Sequence, residues 1–114
     1  MRGTSRNVHG FICVCAAWAA SVTVAFAQDA GDSRRGRDFA ERTCFGCHAV
    51  SPGQMQSRLT KAPSFQAIAD TPGMTGFALN AFLRSPHKSM PNFVIASRDI
   101  SDVVAYILTL KSKP

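Results

Sequence analysis

Little in this chain can build a metal cluster or a sheet. Its 114 residues include 4 cysteines and 3 histidines. Cys13 and Cys15 fall in an apolar N-terminal run, and after Cys44 and Cys47 no second cysteine or histidine pair follows. A four-ligand zinc site is thereby disfavoured. No period-two alternation marks a strand, so a thioredoxin-type dithiol lacks its βαβ context and the domain is expected to be all-α. Internal repeats and low-complexity segments are lacking. The basic residues are scattered rather than clustered with aromatics, which argues against nucleic-acid binding.

Charge is lacking altogether between Phe11 and Ala27. Arg2 and Arg6 precede this run and Ala25-Phe26-Ala27 closes it, the layout of a cleavable secretory signal. At 17 residues the run is short for a membrane span. The expectation is a signal peptide over 1–27, a domain over 28–114, export to the periplasm and no stable span after cleavage; the alternative is an uncleaved anchor. Cys13 and Cys15 come too early for lipidation. The formal net charge is +6. Without Arg2 and Arg6 the chain stays mildly basic, which suits either an acidic protein partner or an ordinary solvated exterior.

What is present centres on Cys44-Phe45-Gly46-Cys47-His48. Residues three and four apart share a helical face. Two thiols can then reach the two vinyl groups of a porphyrin, and the imidazole can face the iron. Cys-x-x-Cys-His reads as covalent attachment of one haem c. The competing readings are a redox dithiol, half a zinc site and a structural disulfide. A domain this small is marginal on its own apolar core, and a large flat cofactor adds apolar surface.

Along the chain, Asp32 is expected to cap a helix over 34–43, with Gly36, Phe39, Ala40, Thr43 and Cys44 on one face. Gly36 costs about 1 kcal/mol there against alanine, which suggests either a close backbone neighbour or an exposed turn. Residues 49–61 read as an irregular loop along one haem edge. Pro63 breaks the chain and Ser64 caps a short helix over 65–69. Thr75 caps a helix to about Arg84, apolar on most sides, and Pro86 stops it. Ser97 is expected to cap the last helix, whose Ile100, Val103, Val104, Ile107 and Leu108 form an amphipathic stripe. Asp99 and Asp102 early, and Lys111 and Lys113 late, suit its dipole.

The second axial position decides what such a haem does, since a filled site carries electrons and an open one binds ligands. Candidates are Met55, Met74, His87 and Met90. A methionine is also an ordinary core filler. On spacing alone both readings of Met90 stand.

The order of these motifs resembles the class I c-type cytochromes over nearly the whole of residues 28–114. Gly36 and Phe39 come first, then the haem motif, Ala62-Pro63, Ser89-Met90-Pro91 and Val104-Ala105-Tyr106-Ile107. The resemblance implies a cytochrome c fold of three to four helices around one haem, with the N- and C-terminal helices crossing near Gly36, Phe39 and Tyr106. It implies thioethers at Cys44 and Cys47, axial ligation by His48 and Met90, and a Pro63 carbonyl accepting from the His48 ring. Many members have Gly-Pro where this chain has Ala62-Pro63. His87 is expected to be a surface residue or a replacement ligand.

The function so implied is a periplasmic one-electron carrier between a donor dehydrogenase and an oxidase or reductase, not an enzyme. Lys88, Lys61 and Arg58 are expected to ring the exposed edge and steer acidic redox partners. Two alternatives are a haem protein with an open sixth site, acting as a peroxidase-like enzyme or gas sensor, and a cytochrome subunit of a dehydrogenase complex. Carbon monoxide binding would mark the first, and co-purification with a dehydrogenase the second.

Overall fold

Asp32 starts the first helix. The structure, a computed structural model, describes residues 30–85 and 90–113. Asp32 is extended, and its carboxylate accepts from the Arg34 and Arg35 amides at 2.9 and 3.1 Å, satisfying two of the donors that a helix start leaves unpaired. Helix α1 then runs Ser33–Thr43. Ser64 and Thr75 do the same for α2 (Phe65–Ala69) and α3 (Gly76–Arg84), through bonds of 3.1 Å to the Ala67 amide and 3.2 Å to the Ala78 amide. Helix α4 spans Ser97–Thr109. Among the described residues there is no strand, so the all-α expectation holds. No helix among them is long and apolar enough to cross a membrane. The leader expected over 1–27 lies outside the described residues, as do His87, Lys88 and Ser89.

The two terminal helices are pressed together. A Cβ at Gly36 would collide with the Asp102 carbonyl, and one at Gly31 with the Ser101 carbonyl. Gly36 is buried, so of the two readings the close-neighbour one is correct. Across this contact the Asp102 carboxylate, 3% exposed, accepts from the Asp32 amide at 2.6 Å and from Arg35 Nε at 2.8 Å. Asp102 was expected to serve the helix dipole; it is an interhelix clasp instead. Ile100, Val103, Val104 and Ile107 are buried as the stripe predicts, with Tyr106 beside them, whereas Leu108, the fifth stripe residue, is exposed. Each buried aliphatic side chain removes enough surface from water to stabilise the fold by about 2 kcal/mol.

One cap needs correction. Ser97 is the first residue of α4 rather than its cap; the cap is Ala96, which makes no side-chain hydrogen bond. The Ser97 hydroxyl lies 3.4 Å from Arg84 instead. Helix α3, apolar on most sides as expected, leaves much of that surface exposed. Leu79 is its buried residue, while Phe77 and Phe82 are 85% and 56% exposed. Its apolar residues face two ways: Leu79 into the core, and Phe82 along the wall of a cleft.

Candidate functional site

The haem-type motif forms a single turn at the end of α1. The Cys44 amide bonds the Ala40 carbonyl at 2.8 Å, and the Cys44 carbonyl accepts from the Cys47 and His48 amides at 3.1 and 2.9 Å. That turn puts Cys44, Cys47 and His48 on the wall of one cleft of about 450 Å³, within the size range of cofactor sites. Phe45 and Gly46 face out, and the Arg58 guanidinium sits 4.1 Å from the Phe45 ring centroid. Gly46 has open space where a side chain would be.

His48 is tied from behind. Its Nδ1 lies 2.6 Å from the Pro63 carbonyl oxygen. A carbonyl can only accept, so Nδ1 carries the hydrogen and the Nε2 lone pair is available to a metal. The Phe65 ring packs on the imidazole at 5.7 Å between centroids.

The rest of the cleft is apolar, with Leu59, Ile68, Leu79, Phe82 and Phe93 among its walls. Among the described residues, Lys61 is its one lysine or arginine. Leu59, Phe82 and Phe93 are each at least partly open to solvent along it. Such walls suit a large, flat, apolar ligand with a polar edge.

The thiols fit that use better than redox exchange. Cys44 and Cys47 are both free and half-buried. Burial, with Cys47 adding, pushes the Cys44 thiol up to about 11. An exchange dithiol needs a lowered pKa. Nor do three His, Cys, Asp or Glu side chains converge as a bare metal ion requires, among the described residues.

The candidates for a second axial ligand separate. Met55 is 62% exposed and is not on the cleft wall. Met74 and Met90 both line it. Met74 packs on the hydrophobic core, and its backbone is bonded on both sides, to the Thr71 carbonyl and from Lys111 Nζ. Met90 is half-buried, beside Pro91 and Phe93 on the same wall, and is not part of that core packing. Its thioether is the freer one. Arg58 is at Phe45 rather than on the cleft wall, and Lys88 lies outside the described residues.

Sequence reasoning missed the hydrogen bonds by which three residues build the site, although it placed Tyr106 at the helix crossing. Tyr106 donates its hydroxyl to the Val50 carbonyl at 2.7 Å. Gln66 accepts from the Gly53 amide and donates to the Leu110 carbonyl at 2.6 Å, joining the loop, α2 and the end of α4. Ser57 accepts the Ala49 amide at 2.9 Å. A polar residue on the apolar face of a helix, as Tyr106 is, was the available signal.

No family model matches the chain, and neither does any curated protein or solved structure.

Proposed function

We propose that the domain is a mono-haem electron carrier with the class I cytochrome c fold, exported through the leader at 1–27. Cys44 and Cys47 would hold the haem through thioethers, and His48 and Met90 would ligate its iron. The observation that carries this reading is the His48–Pro63 bond of 2.6 Å, made in a cleft that also holds both thiols and a loosely packed methionine. Hydrogen-bonding the far nitrogen of a metal-ligating imidazole fixes its tautomer and raises its basicity.

Bound there, haem would supply a one-electron iron couple. The chain's own part is to hold and insulate it. The Pro63 carbonyl keeps the proton on Nδ1. The apolar walls exclude water and disfavour the more highly charged oxidised state, which raises the potential. The Met90 thioether raises it further relative to a second imidazole. Substrate binding has no place in this scheme.

The test is the absorption spectrum of the exported protein in both oxidation states. A weak long-wavelength sulfur-to-iron band, lost on Met90→Ala, is expected. A high-spin spectrum without the band would overturn the axial assignment. Mass spectrometry of the same sample should find residues 28–114 plus one haem.

A second reading has one observation behind it. Between residues 91 and 95 the only backbone hydrogen bond among the described residues runs from the Phe93 amide to the Pro91 carbonyl. A segment held so lightly can release Met90, and an open sixth site would bind small ligands. Rapid carbon monoxide binding to the reduced protein would favour that reading.

A further inference from the structure

Behind His48 the chain makes a closed circuit of contacts. His48 is followed by Ala49 and Val50, which are 2% and 1% exposed. The Ala49 carbonyl accepts from the Phe65 amide at 2.8 Å. The Val50 carbonyl accepts from the Tyr106 hydroxyl at 2.7 Å. The Phe65 ring, 4% exposed, packs on the His48 imidazole at 5.7 Å and 53°. It also meets the Tyr106 ring at 6.4 Å and 54°. Such tilted pairs are favourable aromatic geometries. Tyr106 therefore reaches the segment of His48 by two routes, one through a ring and one through a backbone carbonyl. Packing alone would need only the ring.

The hydroxyl has a definite job. Val50 is buried, and a buried carbonyl without a donor is costly. Burial also pushes the Tyr106 phenol above its ordinary value, so it remains a donor at neutral pH. The chain has one tyrosine, and it is spent on this bond.

From this circuit we infer that Phe65 and Tyr106 are positioning residues for the iron-ligating imidazole, Tyr106 acting from α4 to hold the His48–Val50 segment, and with it the Nδ1–H bond to Pro63, in register. The inference rests on the haem reading above. It extends the support of the imidazole from one carbonyl to the C-terminal helix. Loosening the brace lengthens the Nδ1–H bond, makes the imidazole a weaker electron donor and destabilises the oxidised state.

The experiment uses the haem-loaded protein and begins with the wild type. Its reduced-state NMR spectrum should show a slowly exchanging His48 Nδ1 proton; a protein without thioether-bound haem ligated by His48 would sink both readings. Tyr106→Phe should then raise the reduction potential and speed exchange of that proton about fivefold, the factor that one neutral hydrogen bond carries. Val103→Ala, in the same helix and core but outside the hydrogen bond and ring contacts of the brace, should lower the unfolding midpoint and leave both quantities alone. Wild-type exchange and potential in folded Tyr106→Phe would overturn the brace while the haem reading stands. Equal shifts in Val103→Ala would also overturn it, because they would show a general softening. If Tyr106→Phe cannot be obtained folded, Phe65→Leu decides in its place: it removes the ring but not the amide, and faster exchange is expected. An unchanged proton there would overturn the inference.

Discussion

The cleft has two unlike sides. On the His48 side the backbone is tied at four points. The Cys47 carbonyl is bonded by the Leu59 amide, the Ala49 amide by Ser57, the Ala49 carbonyl by Phe65 and the Val50 carbonyl by Tyr106. On the Met90 side, residues 91–94 are exposed, and Val94 is fully so. The contrast is a matter of where each segment is anchored. One runs between a helix, a loop and the buried face of α4. The other runs ahead of α4, whose first turn lacks a side-chain cap. Stability is local, and segments with few buried contacts open first. In the proposed function the imidazole is then the permanent ligand and the thioether the replaceable one.

The largest test of that asymmetry removes each ligand in turn. His48→Ala should abolish stable haem incorporation, read as heme-dependent staining after denaturing electrophoresis. Met90→Ala should keep a covalently stained protein that binds carbon monoxide. Equal loss of haem in both variants would mean that the two sides are not different in kind.

The tightly built side depends on α1 and α4 touching, because α1 delivers Cys44 and α4 delivers Tyr106. Gly36→Ala puts a methyl group into the Asp102 carbonyl and should cost about 3 kcal/mol in urea unfolding, the upper end for overpacking. Gly46→Ala, inside the motif but facing open space, should stay within about 0.5 kcal/mol. A neutral Gly36→Ala would show that the helices can separate without harm.

Acid should attack the same contact. The Arg35 guanidinium, with the Asp32 amide helping, holds the Asp102 carboxyl below its ordinary value. The Arg35 and Arg34 amides act likewise on Asp32. A carboxyl whose folded pKa is depressed stabilises the fold above its unfolded pKa, and that contribution is lost as pH falls through the folded pKa. Unfolding midpoints should therefore hold down to about pH 4, the ordinary aspartate value, and fall below it. Asp102→Asn should lower the midpoint at pH 7 and flatten this acid limb. A mutant limb as steep as the wild-type one would move the acid sensitivity elsewhere.

How much of this was legible beforehand follows the range of each interaction. The caps at Asp32, Ser64 and Thr75 are local: a side chain bonds an amide two or three residues on, and sequence shows it. The motif turn and the α4 stripe are local too. Gly36 was legible as a question, because a glycine on a small apolar helical face implies a neighbour without naming it. Asp102 was misread because the dipole rule sees only its own helix, whereas its partners lie at Asp32 and Arg35, about seventy positions away in sequence. The hydrogen bonds of Tyr106, Gln66 and Ser57 were missed for the same reason. Their polar atoms serve backbone groups in other segments, and no periodicity encodes that.

Ser97 was the one misplaced cap, and it leads to the smallest effect. The chain enters α4 at Ala96, whose side chain cannot accept a hydrogen bond, so α4 starts without a side-chain cap next to the segment that carries Met90. Ala96→Ser supplies an acceptor at the existing cap position, where the backbone is already extended. A side-chain cap in place of alanine is worth about 1 kcal/mol. If the Met90 side is loose because its anchor frays, the gain should appear in two ways: a slightly higher unfolding midpoint, and carbon monoxide binding to the reduced protein slowed by up to about fivefold, the same energy expressed as a rate. A higher midpoint with unchanged binding would separate the two effects. Release of Met90 would then be a property of residues 90–95 themselves, and the difference between the two sides of the cleft would lie in the loop and not in the helix behind it.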